Sequence, residues 1–321
     1  MNPETSANHA HAVNIGTKLG FRASREVKIR PARTDTKHYG PVLDVLWSLP
    51  LTSAQLKAIA AVGALVPMFD EALPIAAWEI EGTDASTKGM QADAANIRAS
   101  GAPFGFLAVN SGSRDNLLER AQRLARTQAA FFGEQSLLPF AMELLPELAQ
   151  LELDASVEPL VPKAVTKPGG GEGKWAASVR PRLEQLGKDA GFHVRESYVA
   201  PSPKNSDRTK SQIDMAWTLR MPGGLRDFVE AVANREPGAL AAKTAPFIDL
   251  EKCDEIVVVA FELENDAKKH GYGGLLNLSS HGMAGVFVAG NAEAEAAAKA
   301  ALATYSPFFP LSRVTVRSED F

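Results

Sequence analysis

The 321-residue chain has one cysteine, Cys253, so no internal disulfide braces it; set before an apolar run, it reads as a reduced thiol at the edge of a core. Nowhere is there a run of roughly 20 apolar residues to span a membrane. The opening MNPETSANHAHAV has no apolar stretch of signal-peptide length. Positive charge is not in excess either. Lys and Arg total 34 against 38 Asp and Glu, a net charge of −4, which argues against binding nucleic acid through bulk electrostatics. There is no P-loop, no GxGxxG after a strand, no GxSxG elbow and no His/Cys cluster at zinc spacing. Gly271, Gly273 and Gly274 fit neither glycine motif and read as close packing, with anion binding the lesser alternative. These absences leave a soluble, cytoplasmic protein with no membrane partner as the expectation. His9 and His11 read as part of a disordered polar terminus rather than a metal-binding tail.

What is present is a repeat. The length suits two domains of about 150 residues each. A helix stopped by glycine and followed by a strand occurs at Gly20-Phe21 and again at Gly191-Phe192. The strands FRASREVKI and FHVRESYVA both contain Arg-Glu, at Arg25-Glu26 and Arg195-Glu196. A polar basic stretch follows each, then VLDVLW or QIDMAW, which place Asp44 and Asp214 three residues before Trp47 and Trp217. From Phe21 to Asp44 is 23 residues, and from Phe192 to Asp214 is 22. A helical insertion comes next, TSAQLKAIAAVGAL or LRDFVEAVAN. Then come the apolar strands PIAAWEIE and IVVVAFELE, a lysine-containing helix, another strand, and a helix with Ser113 or Asn291 as N-cap. The second copy ends with a further strand, SRVTVRS. The expected organisation is a first repeat over 1–154, a Pro/Gly-rich linker over 155–174 and a second repeat over 175–321. The class is α/β, each repeat a mixed sheet flanked by helices.

The carboxylates sit where water is not expected. Residues i and i+2 of a strand share a face, so Glu79 pairs with Glu81 and Glu262 with Glu264. A half-exposed strand with a solvated acidic face accommodates PIAAWEIE. It fits IVVVAFELE poorly, because an unbroken apolar run marks a strand covered on both faces. Asp44 and Asp214 lie inside apolar-aromatic words. Three acids converging at a strand end repel one another, and burying each costs several kcal/mol unless positive charge compensates. Hard oxygen donors suit Mg²⁺, or Mn²⁺. Trp47 and Trp217 read as core, with base stacking the alternative.

A strand aspartate followed by an apolar strand with an acid-x-Lys/Glu/Gln signature and a helix resembles the PD-(D/E)xK restriction-endonuclease-like superfamily. With Glu81 and Glu264 at the last position, the resemblance is to the Glu-x-Glu subset of type II restriction enzymes; Leu43 and Ile213 stand where its proline would be. The resemblance implies two tandem restriction-endonuclease-like units acting as a Mg²⁺-dependent endodeoxyribonuclease of a restriction system. It makes Asp44 with Glu79, and Asp214 with Glu262, metal ligands, and gives Glu81 and Glu264 the attacking water. Glu26 and Glu196 match an accessory acid. Lys88 and Lys268 are either a migrated catalytic lysine or solvated helix residues. Lys28, Arg30, Arg33 and Lys37, and Lys204, Arg208 and Lys210, become candidate phosphate contacts to DNA, with a solvated loop as the plain alternative. Two units in one chain imply a monomeric pseudodimer with two pseudosymmetric sites, with a higher oligomer as the alternative. The rival readings are a catalytically inactive DNA-binding or interaction protein on the same fold, and an unrelated α/β enzyme such as a small-molecule or nucleotide hydrolase, against which the missing P-loop, GxGxxG and GxSxG motifs count.

Overall fold

A computed structural model describes residues 3–29, 41–82, 86–112, 116–132, 136–157, 174–199, 212–235, 250–266, 271–306 and 311–318. The first half runs α1 (Pro3–Lys18), β1 (Arg22–Lys28), β2 (Val42–Pro50), α2 (Ser53–Ala61), β3 (Ala72–Glu81), α3 (Thr87–Ser100), β4 (Phe104–Val109), α4 (Leu117–Phe132), β5 (Ser136–Ala141) and a single turn, α5 (Leu145–Leu148). The second runs α6 (Lys174–Asp189), β6 (His193–Val199), β7 (Gln212–Arg220), α7 (Gly223–Arg235), β8 (Glu255–Glu264), α8 (Gly271–His281), β9 (Ala284–Ala289), α9 (Ala292–Tyr305) and β10 (Val314–Ser318). No helix among the described residues is long and apolar enough to cross a membrane.

Each half builds a mixed five-stranded sheet in chain order, β1-β2-β3-β4-β5 and β6-β7-β8-β9-β10. In the first, β1–β2 and β2–β3 pair antiparallel, while β3–β4 and β4–β5 pair parallel. The second repeats the scheme, antiparallel through β8 and parallel from there to β10. The sequence reading gave the first half no counterpart of the final strand. That strand is β5, SLLPFA; its Pro139 argues against a central strand, but β5 lies at the sheet edge, where a missing N–H is tolerated.

The same local contacts recur in both halves. Gly20 (φ +82°) ends α1 in the left-handed region. Its N–H bonds Thr17 O, and the N–H of Phe21 bonds Gly16 O. Gly191 (φ +85°) ends α6 with the equivalent pair, Gly191 to Lys188 and Phe192 to Gly187. Trp47 then donates its indole N–H to Ala12 O at 3.0 Å, and Trp217 to Leu183 O at 3.2 Å. Both indoles lie against helix backbone. A Cβ on Gly16 would stand 2.4 Å from Trp47 Nε1, and one on Gly187 2.5 Å from Trp217 Nε1. Both tryptophans are fully buried, which settles their alternative for core packing over base stacking.

One pairing of the repeats is corrected. The Arg-Glu words are offset by one residue. Arg25 pairs with Val45, and it is Glu196, not Arg195, that pairs with Met215. Glu26 therefore corresponds to Ser197. Both have positive φ, +52° and +49°, at the step of the register facing Asp44 and Asp214. Left-handed backbone at a non-glycine residue costs of order 1–3 kcal/mol and concentrates at functional sites.

The compact units do not follow the sequential boundaries throughout. One comprises 1–50, 68–158 and 221–254, the other 51–67, 159–220 and 255–321. The insertion helix α7 thus belongs to the unit of the first sheet. There its fully buried Phe228 lies 5.5 Å from Trp47, 6.0 Å from Trp78 and 5.5 Å from Phe106, ring centre to ring centre. Its first turn is tied to that unit by backbone bonds, Gly223 to Ser156 O and Gly224 to Asp154 O. Reciprocally, α2 packs on α6 in the second unit, opened by a Thr52–Gln55 capping box. Of the expected linker, 158–173 lie outside the described residues.

Candidate active site

The ladder between β2 and β3 runs to Val45–Trp78 and then gives way to a side chain. Asp44 Oδ2 accepts the backbone N–H of Ile80 at 2.7 Å, which carries its carboxylate to the Glu79–Glu81 end of β3. The second unit repeats this. Its ladder reaches Met215–Phe261, and Asp214 Oδ2 accepts the N–H of Leu263 at 2.8 Å. The strand aspartate and the Glu-x-Glu strand are therefore brought together in each unit.

β3 is buried from Ala72 to Ile80, so the half-exposed reading of PIAAWEIE gives way to a covered strand. Glu79 is 5 % exposed. Its burial first of all, and then the Asp44 and Asp93 charges, push its carboxyl up to about 9; the amide of Asn96, 3.2 Å away, acts in the opposite sense. Glu262 is likewise pushed up to about 9, by burial and then by the Asp214 charge, against an amide contact from Asn277 at 3.4 Å. The Asp214 and Glu262 carboxyls share a hydrogen bond. Glu81 and Glu264 are half-buried at the strand ends.

Five residues without an expected site role contribute: Asn96, Asn277, Asp93, His9 and Arg180. Asn96 in Ala95-Asn96-Ile97 and Asn277 in Leu276-Asn277-Leu278 stand in matching words of the two halves. Their signal was recurrence at one helix position after each Glu-x-Glu. Asp93 lies three residues before Asn96, on the same face of α3. It is pushed up to about 9 by burial and by its hydrogen bond with Glu81. His9 overturns the disordered-terminus expectation: α1 begins at Pro3, and His9 is buried with Nε2 3.5 Å from Asp44 Oδ1. Arg180 of α6 stands in the corresponding place beside Asp214, with Nη1 2.6 Å from its backbone oxygen and Nη2 3.9 Å from Oδ1. The repeat offset that aligns Phe21 with Phe192 also aligns His9 with Arg180.

Of the other expected residues, Glu26, Lys28 and Lys88 are exposed. Glu196 lies near enough for its charge to act on Lys188. Asn291 caps α9 as expected, its side chain accepting from Ala294 N. Ser113, Arg30, Arg33, Lys37, Lys204, Arg208, Lys210 and Lys268 lie outside the described residues.

The donors are the hard oxygens that Mg²⁺ or Mn²⁺ prefers, and their mutual repulsion is the property a cation would relieve. They are not preassembled: no group of three or more His, Cys, Asp or Glu side chains among the described residues is arranged to hold a metal ion. Glu79 and Glu262 instead face their asparagines. No protein-family model, no curated protein and no solved structure matches the chain.

Proposed function

We propose that this chain is a Mg²⁺-dependent endodeoxyribonuclease, built of two restriction-endonuclease-like units in one polypeptide. The observation that carries the reading is the bond from Ile80 N–H to Asp44, repeated from Leu263 N–H to Asp214, which sets a third carboxylate against the Glu-x-Glu end of each strand. The order helix, three antiparallel strands, helix, parallel strand supports the same reading.

Asp44 with Glu79, and Asp214 with Glu262, would hold the cation. When bound, it would lower the pKa of a water and neutralise charge on the phosphate. Glu81 and Glu264 would orient the attacking water and accept its proton. Asn96 and Asn277 would steady Glu79 and Glu262, as groups behind a ligand do. Lys28 would contact a DNA phosphate at the exposed end of β1. A second reading, a non-catalytic DNA-binding or interaction protein, draws on Arg180, whose guanidinium already faces Asp214.

Supercoiled plasmid incubated with the purified chain separates the two. Nicking or linearisation in Mg²⁺, lost in EDTA and in Asp44→Asn, supports the nuclease. Intact plasmid retarded on a gel in Mg²⁺ supports the binding protein.

A further inference from the structure

The two units lead their chains past the carboxylates by the same path and then give the next helix opposite charge. The parallel strands β3, β4 and β5 end at one edge of the first sheet, where Glu81 pairs with Val109 and Val109 with Ala141. Just beyond β4, the N–H of Asn110 bonds Glu81 O at 3.1 Å. In the second unit the N–H of Gly290 bonds Glu264 O at 2.9 Å. Both α4 and α9 are therefore entered from the edge that carries the Glu-x-Glu pair.

α4 carries Arg120, Arg123 and Arg126, spaced along one side of the helix in steps of about 4.5 Å. Arg120 and Arg123 are exposed and Arg126 is half-buried, while the buried Leu117, Ala121 and Ala125 form the opposite side. The single acid of α4, Glu119, lies 3.0 Å from Arg123 in an exposed pair. Such pairs contribute at most about 1 kcal/mol, so another anion can displace Glu119. α9 instead has Glu293 and Glu295 in its first turn and one lysine, Lys299, which pairs with Glu295. Acids at a helix start suit the macrodipole, and a cation there opposes it. Arg120, whose N–H bonds Asn116 O where α4 begins, thus works against the helix that holds it.

Resting on DNA as the partner in the function proposed above, we infer that the arginine side of α4 is a docking face for the phosphate backbone of a DNA duplex, and that α9 provides no such face in the second unit. A chain of net charge −4 does not gather DNA through its overall field, so a local row of cations has to do it. Duplex DNA presents one negative charge per about 1.7 Å of axis. A guanidinium bonds phosphate oxygens in pairs through its planar fork. Arg120 stands closest along α4 to the Glu79–Glu81 edge, and Arg123 and Arg126 extend the row away from it. Contacts of this kind position the duplex and read no base.

The test titrates the full chain against a short fluorescent DNA duplex in EDTA, so that nothing is cut. Log affinity should fall linearly with log salt. Arg120→Gln combined with Arg123→Gln should make that slope shallower by about 2, or about 1 per cation removed. Arg120→Lys with Arg123→Lys keeps the charge and should keep the slope. Lys299→Gln in α9 should leave it unchanged. A slope that does not move in the glutamine variant, that falls equally in the lysine variant, or that falls by about 1 in Lys299→Gln overturns the assignment of α4. Plasmid nicking in Mg²⁺ by the same preparations separates this from the catalytic reading. Nicking with an unmoved slope sinks only the docking face, and a shallower slope without nicking sinks only the catalysis. No duplex binding by the wild type overturns both.

Discussion

The two units share the contacts that hold the fold and differ in the charges that face their carboxylates. Gly16 against Trp47 is repeated by Gly187 against Trp217, and the aspartate–backbone bond across the two strands occurs in both. Yet His9 answers to Arg180, and Asp93 to Gly274. Backbone-to-indole packing admits almost no alternative residue, because any Cβ collides. A charge beside a carboxylate can be exchanged for another while the strand stays in place. One scaffold can therefore carry two electrostatically different centres.

The largest effect should come from the exchanged helix. Phe228→Ala removes a ring from the aromatic cluster of the first unit and should cost about 3–5 kcal/mol in urea unfolding. A cost below 1 kcal/mol would mean that α7 does not serve that core. Next, Asp44→Asn should lower Mg²⁺-dependent cleavage by about 10²–10³-fold, the loss typical of one pre-placed electrostatic group. Asp214→Asn should lower it less. Equal losses would erase the distinction between the centres.

Gly16→Ala and Gly187→Ala should each destabilise by about 1–3 kcal/mol, the usual range for overpacking. Here the units should behave alike, and a large difference between the two variants would show that the tryptophan sites are not equivalent.

The pH dependence sharpens the comparison further. Glu79, Asp93 and Glu262 have folded-state pKa values raised to about 9, from ordinary values of 4.5, 3.8 and 4.5. Between those limits the folded chain holds more protons than the unfolded one. The metal-free protein should thus be most stable below the ordinary carboxylate values and lose stability as pH rises towards about 9. Thermal melts in EDTA across that window test this. Glu79→Gln should flatten the decline more than Glu262→Gln, because Glu79 has Asp93 as an additional acidic neighbour. A melting temperature that climbs with pH would reverse the sign. Smallest of all, Lys28→Ala should reduce the slope of log affinity for DNA against log salt by about 1. An unchanged slope removes Lys28 from the interface.

The repeat, the covered Glu-x-Glu strand of the second half and the placement of Asp44 and Asp214 were legible because unbroken apolar runs, strand periodicity and glycine-stopped helices are local signals; the covering of the first Glu-x-Glu strand was not, because PIAAWEIE also suits a half-exposed strand. The exchange of α2 and α7 was not. An amphipathic helix states that it has a buried face without naming the core that receives it. His9 was missed because a polar N-terminal segment carries little hydrophobic pattern, and α1 gains its burial from packing on the sheet. The one-residue offset at Glu26 and Ser197 was hidden because matching letters outweighed backbone geometry; the positive φ at both positions gives the true alignment.

On the nuclease reading proposed above, the carboxylates of the first unit meet to hold a cation. A crystal grown in Mn²⁺ and measured at the manganese absorption edge addresses it directly. The expected result is an anomalous peak bounded by Asp44 and Glu79, with the Glu79 carboxylate turned from Asn96 onto the ion. A map with no peak there, and Glu79 still hydrogen-bonded to Asn96 at saturating Mn²⁺, would contradict it.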